Sequence, residues 1–262
     1  MLEEDKESNL LEMFRLFANN SLSSICLIPN SETVVAIVDI LRDERIWETE
    51  WIDSSSKDAP PPDFYNDRKR IMMEVMRVDD HAYEHEGKII NPTAIRARTI
   101  EKELQESGVL DLNPNARINI NSPTDLPSLE DHNYRYYKTN FRRIIEKHKK
   151  QIARYRINHP GYKLVFFVFD ESSMYCKTDT PNRTIKKGEP FLSVPHIWFS
   201  DKAFTEIFKN SEIDYLVWFT PYKQFICSNP TIKLPLVCVF DCNQEGYEPI
   251  DYPEDYMVST EE

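Results

Sequence analysis

The run Lys163-Leu-Val-Phe-Phe-Val-Phe-Asp170 narrows the possible folds of this chain more than any other segment. Leu164 to Phe169 are apolar without a break, the longest such stretch in the sequence. A half-buried strand alternates apolar and polar residues; an unbroken run of this length reads as a strand buried on both faces. Such a strand needs helices or loops packed on each side of its sheet, which points to an α/β architecture. The run is also far shorter than the roughly 20 residues of a membrane-spanning helix.

The segments around it fit that picture. Residues 8–19 carry Leu10, Leu11, Phe14 and Phe17 at helical spacing, and Val34, Val35, Val38 and Leu41 form a second helical stripe behind Ser31 as N-cap. Residues 45–53 alternate Trp47, Thr49 and Trp51 with Ile46, Glu48, Glu50 and Ile52, which predicts a strand. Residues 63–78 predict a hairpin turning at Asn66-Asp-Arg-Lys69. Residues 139–161 predict one long helix, stopped by His159-Pro-Gly161. A short helix at 201–212 and strands at 214–222 and 234–241 complete the order helix, strand, strand, strand, helix, strand, helix, strand. This is one mixed central sheet flanked by helices, a single domain over 1–262. Residues 92–137 begin with a helix ended by Gly108 and continue rich in Asn, Pro and Ser, so they read as an insertion. A length of 262 residues with 40% hydrophobic and 29% charged content suits such a domain.

Glycine excludes several chemistries. There are five in the chain, none within twenty residues of another. A P-loop, a dinucleotide-binding turn and a serine-hydrolase elbow each need glycines a few positions apart, so all three are absent. The five cysteines form no CxxC pair and read as reduced thiols. With an acidic first segment lacking a basic leader, this suggests a cytoplasmic protein.

The net charge of −12 is unevenly spread. From Lys138 to Lys163 nine basic residues stand against Glu146 alone, whereas Leu234 to Glu262 contains no Lys or Arg. Residues 242–262 thus read as an acidic C-terminal tail, most simply solvated, alternatively lying over a basic face. Arg143, Lys147, Lys150 and Arg154 fall at i, i+4, i+7 and i+11, one stripe about 16 Å long on a helix. Such a stripe within the helix at 140–157 can follow phosphates of a nucleic acid, or simply be a solvated face.

The segment at 60–86 concentrates carboxylates. Pro62-Asp63 opens the predicted hairpin, and Ile71-Met-Met-Glu74-Val-Met76 forms its second strand. This arrangement resembles the restriction-endonuclease-like, or PD-(D/E)xK, nuclease superfamily. That family places an Asp, often after Pro, on one hairpin strand, and a Glu and a Lys two residues apart on the next. The resemblance covers roughly residues 30–80 and 140–220. It implies that Asp63 and Glu74 are metal ligands, with Mg²⁺ the expected ion, because hard cations take oxygen donors. It also implies phosphodiester hydrolysis, the metal polarising the phosphate and activating water. Met76 stands where the family has its lysine, so Lys69, Arg70 or Arg77 would have to supply the cation. Without one, the chain would be a degenerate copy of the scaffold serving as a non-catalytic interaction module. One exonuclease branch carries Q-x-x-x-Y on the helix after the hairpin, and Gln151 and Tyr155 have that spacing. The same pair also reads as a core tyrosine with a polar flank. The branch's acidic residue on the first helix has Glu32 as its nearest counterpart.

Three further sets bear on function. His81-x-x-Glu84-His85 matches an inverzincin pattern, which needs a helix to bring its ligands to one face; the alternative is a polar strand end. Asp170 and Glu171 end the buried run, where carboxylates line clefts or cap turns. His196, Asp214 and Cys227 have no spacing that joins them into a nucleophilic set.

Overall fold

The computed structural model describes residues 7–20, 24–56, 60–108, 132–183, 193–223, 234–244 and 248–260. Its centre is a seven-stranded mixed sheet. In chain order the main elements are α1 (Glu7–Asn20), β1 (Ile25–Ile28), α2 (Glu32–Arg42), α3 (Glu44–Glu50), β2 (Trp51–Asp53), β3 (Phe64–Asn66) and β4 (Ile71–Val78). A small hairpin of β5 (Tyr83–His85) and β6 (Lys88–Ile90) follows, then α4 (Pro92–Glu106), α5 (Tyr134–Lys149), α6 (Ile152–Asn158) and β7 (Lys163–Asp170). The remainder comprises β8 (Tyr175–Thr178), β9 (Ser193–Pro195), α7 (Lys202–Thr205), β10 (Tyr215–Phe219), β11 (Val237–Asp241) and β12 (Met257–Ser259).

The sheet order is β1-β11-β10-β7-β4-β3-β2, with β4, β7 and β10 parallel and β2-β3-β4 an antiparallel meander. As the sequence predicts, β7 is buried from Leu164 to Asp170; it sits between two parallel neighbours, β4 and β10. Alternate residues feed two cores. Val165, Phe167 and Phe169 pack with Leu10, Leu11 and Phe14 of α1 and Val34, Val38 and Leu41 of α2. Leu164, Phe166 and Val168 pack with Tyr137, Phe141 and Ile145 of α5 and Ile152 and Tyr155 of α6. Each fully buried large apolar side chain contributes about 1.5–3 kcal/mol, so two-sided burial makes this strand, with its neighbours β4 and β10, a large contributor to cohesion.

Several expectations are corrected. Residues 45–53 form a helix followed by three strand residues. Asp43 caps the helix, its Oδ1 accepting from Arg45 N and Ile46 N at 2.9 and 3.3 Å. Trp47 and Trp51, four apart, stack with centroids 4.7 Å apart, a contact that helical spacing creates and strand alternation would not. The long helix at 139–161 is instead α5 and α6, broken at Lys150-Gln151, and it starts earlier, at Tyr134. Tyr134 and Tyr137 are therefore core residues rather than part of an insertion. Of the expected insertion, α4 is a helix and residues 109–131 lie outside the described residues.

The described part of the acidic C-terminal segment, 248–260, is anchored to the domain although Glu248, Asp251, Glu254 and Asp255 are solvent-exposed. Tyr252 and Met257 are buried, and β12 pairs antiparallel with β8 in a second sheet of β12-β8-β9. Glu254 pairs with Lys138 at 2.7 Å and Arg135 at 3.7 Å, at the start of α5, away from the Arg143–Arg154 stripe. Cys26 and Cys238, scattered in sequence, are direct partners on parallel β1 and β11. Hydrogen bonding to Cys238 draws the Cys26 thiol down to about 7 despite burial. Among the described residues no helix is long and apolar enough to cross a membrane.

Candidate functional site

Phe64 of β3 pairs with Met73 of β4, and Asn66 with Ile71. One step further along the same register sets Asp63 opposite Glu74. Cross-strand neighbours of this kind have Cβ atoms about 4.5–5.5 Å apart on one face of the sheet. That face is the one shared by Met72 and Met76 and covered by α5 and α6. Asp63 is anchored by its own backbone. Its carbonyl accepts from Ser54 N at 2.7 Å and Ser54 Oγ at 3.1 Å. Its Oδ2 accepts from Val75 N at 2.8 Å. Asn158 at the end of α6 donates to Pro61 O at 2.6 Å, tying the helix to the same loop.

Burial, reinforced by the nearby Glu74 carboxylate, pushes Asp63 up to about 7 against the pull of the Val75 hydrogen bond. Two acids are thus held together at an electrostatic cost. Glu74 is buried on β4, and its Oε1 lies 2.7 Å from His148 Nδ1 on α5. Its Oε2 is buried and has no hydrogen-bond partner among the described residues. The same is true of the Tyr155 hydroxyl. Burial first, then the Glu74 charge, raises the Tyr155 phenol well above its ordinary value, so it remains an O–H donor. The phenol lies near enough to Glu74 for a weak hydrogen bond to add to the shift, but the pair makes no well-formed bond. Buried polar atoms without partners are rare and mark places where an ion, water or ligand group belongs.

The structure therefore brings together Asp63, Glu74 and Tyr155, and adds His148 from the helix expected at 139–161. His148 was detectable only as a titratable residue on a buried stripe, a weak signal without its partner 74 residues away. The cation candidates lie elsewhere. Lys69 is exposed in the turn at 67–70, before β4 begins, with its backbone N bonded to Asn66 Oδ1. Arg70 reaches Pro160 O and stacks over Tyr162. Arg77, on the opposite parity of β4, makes paired hydrogen bonds to Glu171 at 2.8 and 2.9 Å. Met76 is buried in the core. Gln151 is exposed at the junction of α5 and α6, where its carbonyl accepts from Arg154 N and Tyr155 N. Glu32 is the first residue of α2, on the far side of the sheet.

Arg143, Lys147, Lys150 and Arg154 are all exposed, and none makes an ion pair among the described residues. Their neighbours Lys138 and Lys149 are, by contrast, paired with Glu254 and Glu146.

The other expected sets do not assemble. His85 ends β5 and is exposed, and His81 lies in the preceding loop, so the H-x-x-E-H residues share no helix face. Asp170 lines no cleft: it is fully buried, accepts from Tyr137 OH at 2.6 Å and Trp218 Nε1 at 2.8 Å, and faces the buried Lys223 ammonium at 3.8 Å. His196 pairs with Asp201 at 2.7 Å, and Asp214 with Arg156 and Lys163, each at 2.9 Å; Cys227 lies outside the described residues. Compared with protein-family models, with curated proteins and with solved structures, the chain shows no match.

Proposed function

We propose that this chain is a restriction-endonuclease-like protein that holds a divalent cation at Asp63 and Glu74 and engages nucleic acid through the stripe Arg143, Lys147, Lys150 and Arg154. The observation that carries this reading is the buried pair of neighbouring carboxyls: Glu74 Oε2, which has no well-formed hydrogen bond among the described residues and only the loosely placed Tyr155 phenol near it, beside an Asp63 carboxyl raised to about 7. Two oxygen-donor carboxylates whose charges repel in the free protein fit a hard cation such as Mg²⁺, which would neutralise both. When bound, the ion would polarise a phosphate and lower the pKa of water. The chain's own residues act around it. His148 holds Glu74 Oε1 and thereby directs Oε2 toward the shared site. The Tyr155 hydroxyl, kept protonated, offers a donor to a phosphate or water oxygen. The exposed cations draw a polyanion to the outer side of the same helix pair.

The test is calorimetric titration of Mg²⁺ and Mn²⁺ into wild type and Asp63→Ala, followed by DNA and RNA binding at low and moderate salt. Metal binding that Asp63→Ala removes, and salt-sensitive polyanion binding that Lys147→Glu with Lys150→Glu weakens, are the expected results. Equal or absent metal binding in both proteins refutes the cation site. A second reading, a non-catalytic interaction module on the same scaffold, is favoured by one observation: the position of the family's lysine is Met76, buried in the core. Cleavage by wild type rules that reading out; cleavage that appears only in Met76→Lys supports it.

A further inference from the structure

A different group of side chains lies past the other end of β4, six residues or about 20 Å from Glu74 along the strand. Asp80 follows β4 and is fully buried. Its Oδ2 is saturated: it accepts from Ser173 N at 2.9 Å, from Tyr175 OH at 2.6 Å and from the Ser173 hydroxyl. Its Oδ1 is equally buried and makes no well-formed hydrogen bond among the described residues, only a long contact to His132. That oxygen faces two imidazoles. His132 Nδ1 lies 3.5 Å from it and His81 Nε2 lies 3.7 Å from it, with the two rings edge to face at 4.6 Å. The three donor atoms all fall within 4.8 Å of one another.

We propose that Asp80, His81 and His132 form a site for a divalent transition metal of the zinc class, separate from the hairpin carboxylates. Donor chemistry and spacing both favour this class. Two imidazoles and one carboxylate suit borderline cations, whereas Mg²⁺ and Ca²⁺ prefer oxygen alone. Ligands about 2.0–2.1 Å from a tetrahedral ion stand about 3.3–3.4 Å apart; around an octahedral ion they would stand about 2.9 Å apart. The separations of 3.5 and 3.7 Å are near the tetrahedral value. The donors on Oδ2 orient the carboxylate from behind, as supporting partners of metal ligands do. The His81 and His132 side chains are 16% and 18% exposed, so the cluster lies near the surface. Two imidazoles and one carboxylate form a three-ligand donor set that zinc sites use. In the metal-free chain His132 Nδ1 is also 3.0 Å from Ser173 Oγ. Metal binding at that nitrogen replaces this contact and releases any proton on it, so affinity falls as pH is lowered.

Co²⁺ added to chelator-treated full-length protein is the probe, because four-coordinate Co²⁺ absorbs far more strongly in the visible than six-coordinate Co²⁺. One equivalent should produce the strong bands, Zn²⁺ should abolish them, and excess Mg²⁺ should not. His81→Ala and His132→Ala alter partly exposed rings and are checked for native circular dichroism. Each should weaken binding by more than the roughly 10–100-fold that loss of a supporting partner costs. His85→Ala, a neighbouring exposed histidine, and Asp63→Ala should leave the spectrum unchanged. Absent or weak six-coordinate bands, bands that survive both histidine variants, or bands lost in Asp63→Ala would overturn the proposal. Failure of Mg²⁺ binding at the hairpin leaves it untouched.

Discussion

Replacing Asp63 by Asn should make the metal-free protein more stable at pH 8 and leave it nearly unchanged at pH 4. The sign follows from proton linkage. Asp63 is raised from an ordinary 3.8 to about 7 in the folded chain, chiefly by burial and then by Glu74. Between those values the folded state keeps a proton that the unfolded state has lost, so this group's contribution to stability declines as pH rises from about 4 to about 7 and is level above that. The full difference corresponds to about 4 kcal/mol at 1.36 kcal/mol per pH unit. Partial exposure and salt screening reduce it to about 2–4 kcal/mol. Asparagine carries no charge at any of these pH values, and its carbonyl oxygen can still accept from Val75 N. Urea unfolding of both proteins from pH 4 to pH 9, at constant ionic strength with a chelator present, measures the difference directly. It should be near zero at pH 4 and grow to about 2–4 kcal/mol in favour of the variant by pH 8. Adding Mg²⁺ at pH 8 should narrow it, since only wild type retains both carboxylates for the ion. A difference that does not change with pH, or an Asp63→Asn variant less stable than wild type at pH 8, would refute the argument that the acids are held together at a cost.

His148→Leu should destabilise the fold by about 3 kcal/mol, because it strips the hydrogen bond at Oε1 from a buried Glu74 carboxylate whose Oε2 is already unpartnered; chemical denaturation should show most of this loss disappearing when Glu74→Leu is added. Lys223→Met should cost about 3–5 kcal/mol at neutral pH, since the buried Asp170 loses its countercharge and Ser172 and Ser173 lose a donor; the midpoint of unfolding in urea reports it. Glu254→Ala should change stability by less than about 1 kcal/mol in thermal or urea melts, because its partners Lys138 and Arg135 sit at an exposed surface.

Local signals carried much of the architecture. The unbroken run Leu164–Phe169 announced a doubly covered strand, and its alternate side chains do enter two cores. Ser31 was recognisable as a cap and does accept from Val34 N. The hairpin and its turn at Asn66–Lys69 were legible because a turn and two β-rich runs lie close together in the chain. Even local reading failed where two periods competed. Trp47 and Trp51 satisfy strand alternation and helical i, i+4 spacing equally, and only the Asp43 cap and their stacking decide for the helix. What tertiary structure alone decided is which polar groups meet. His148 reaches Glu74 because α5 docks across β4, and Tyr155 of α6 comes near the same carboxylate. Asp80 meets Ser173 and Tyr175 across more than ninety residues, and Cys26 meets Cys238 because the first strand joins the last strand of the sheet. Periodicity and capping act over one or two turns of chain. Register between strands and the docking of a helix on a sheet are set by the packing of both cores together, and the functional groups are positioned by that packing.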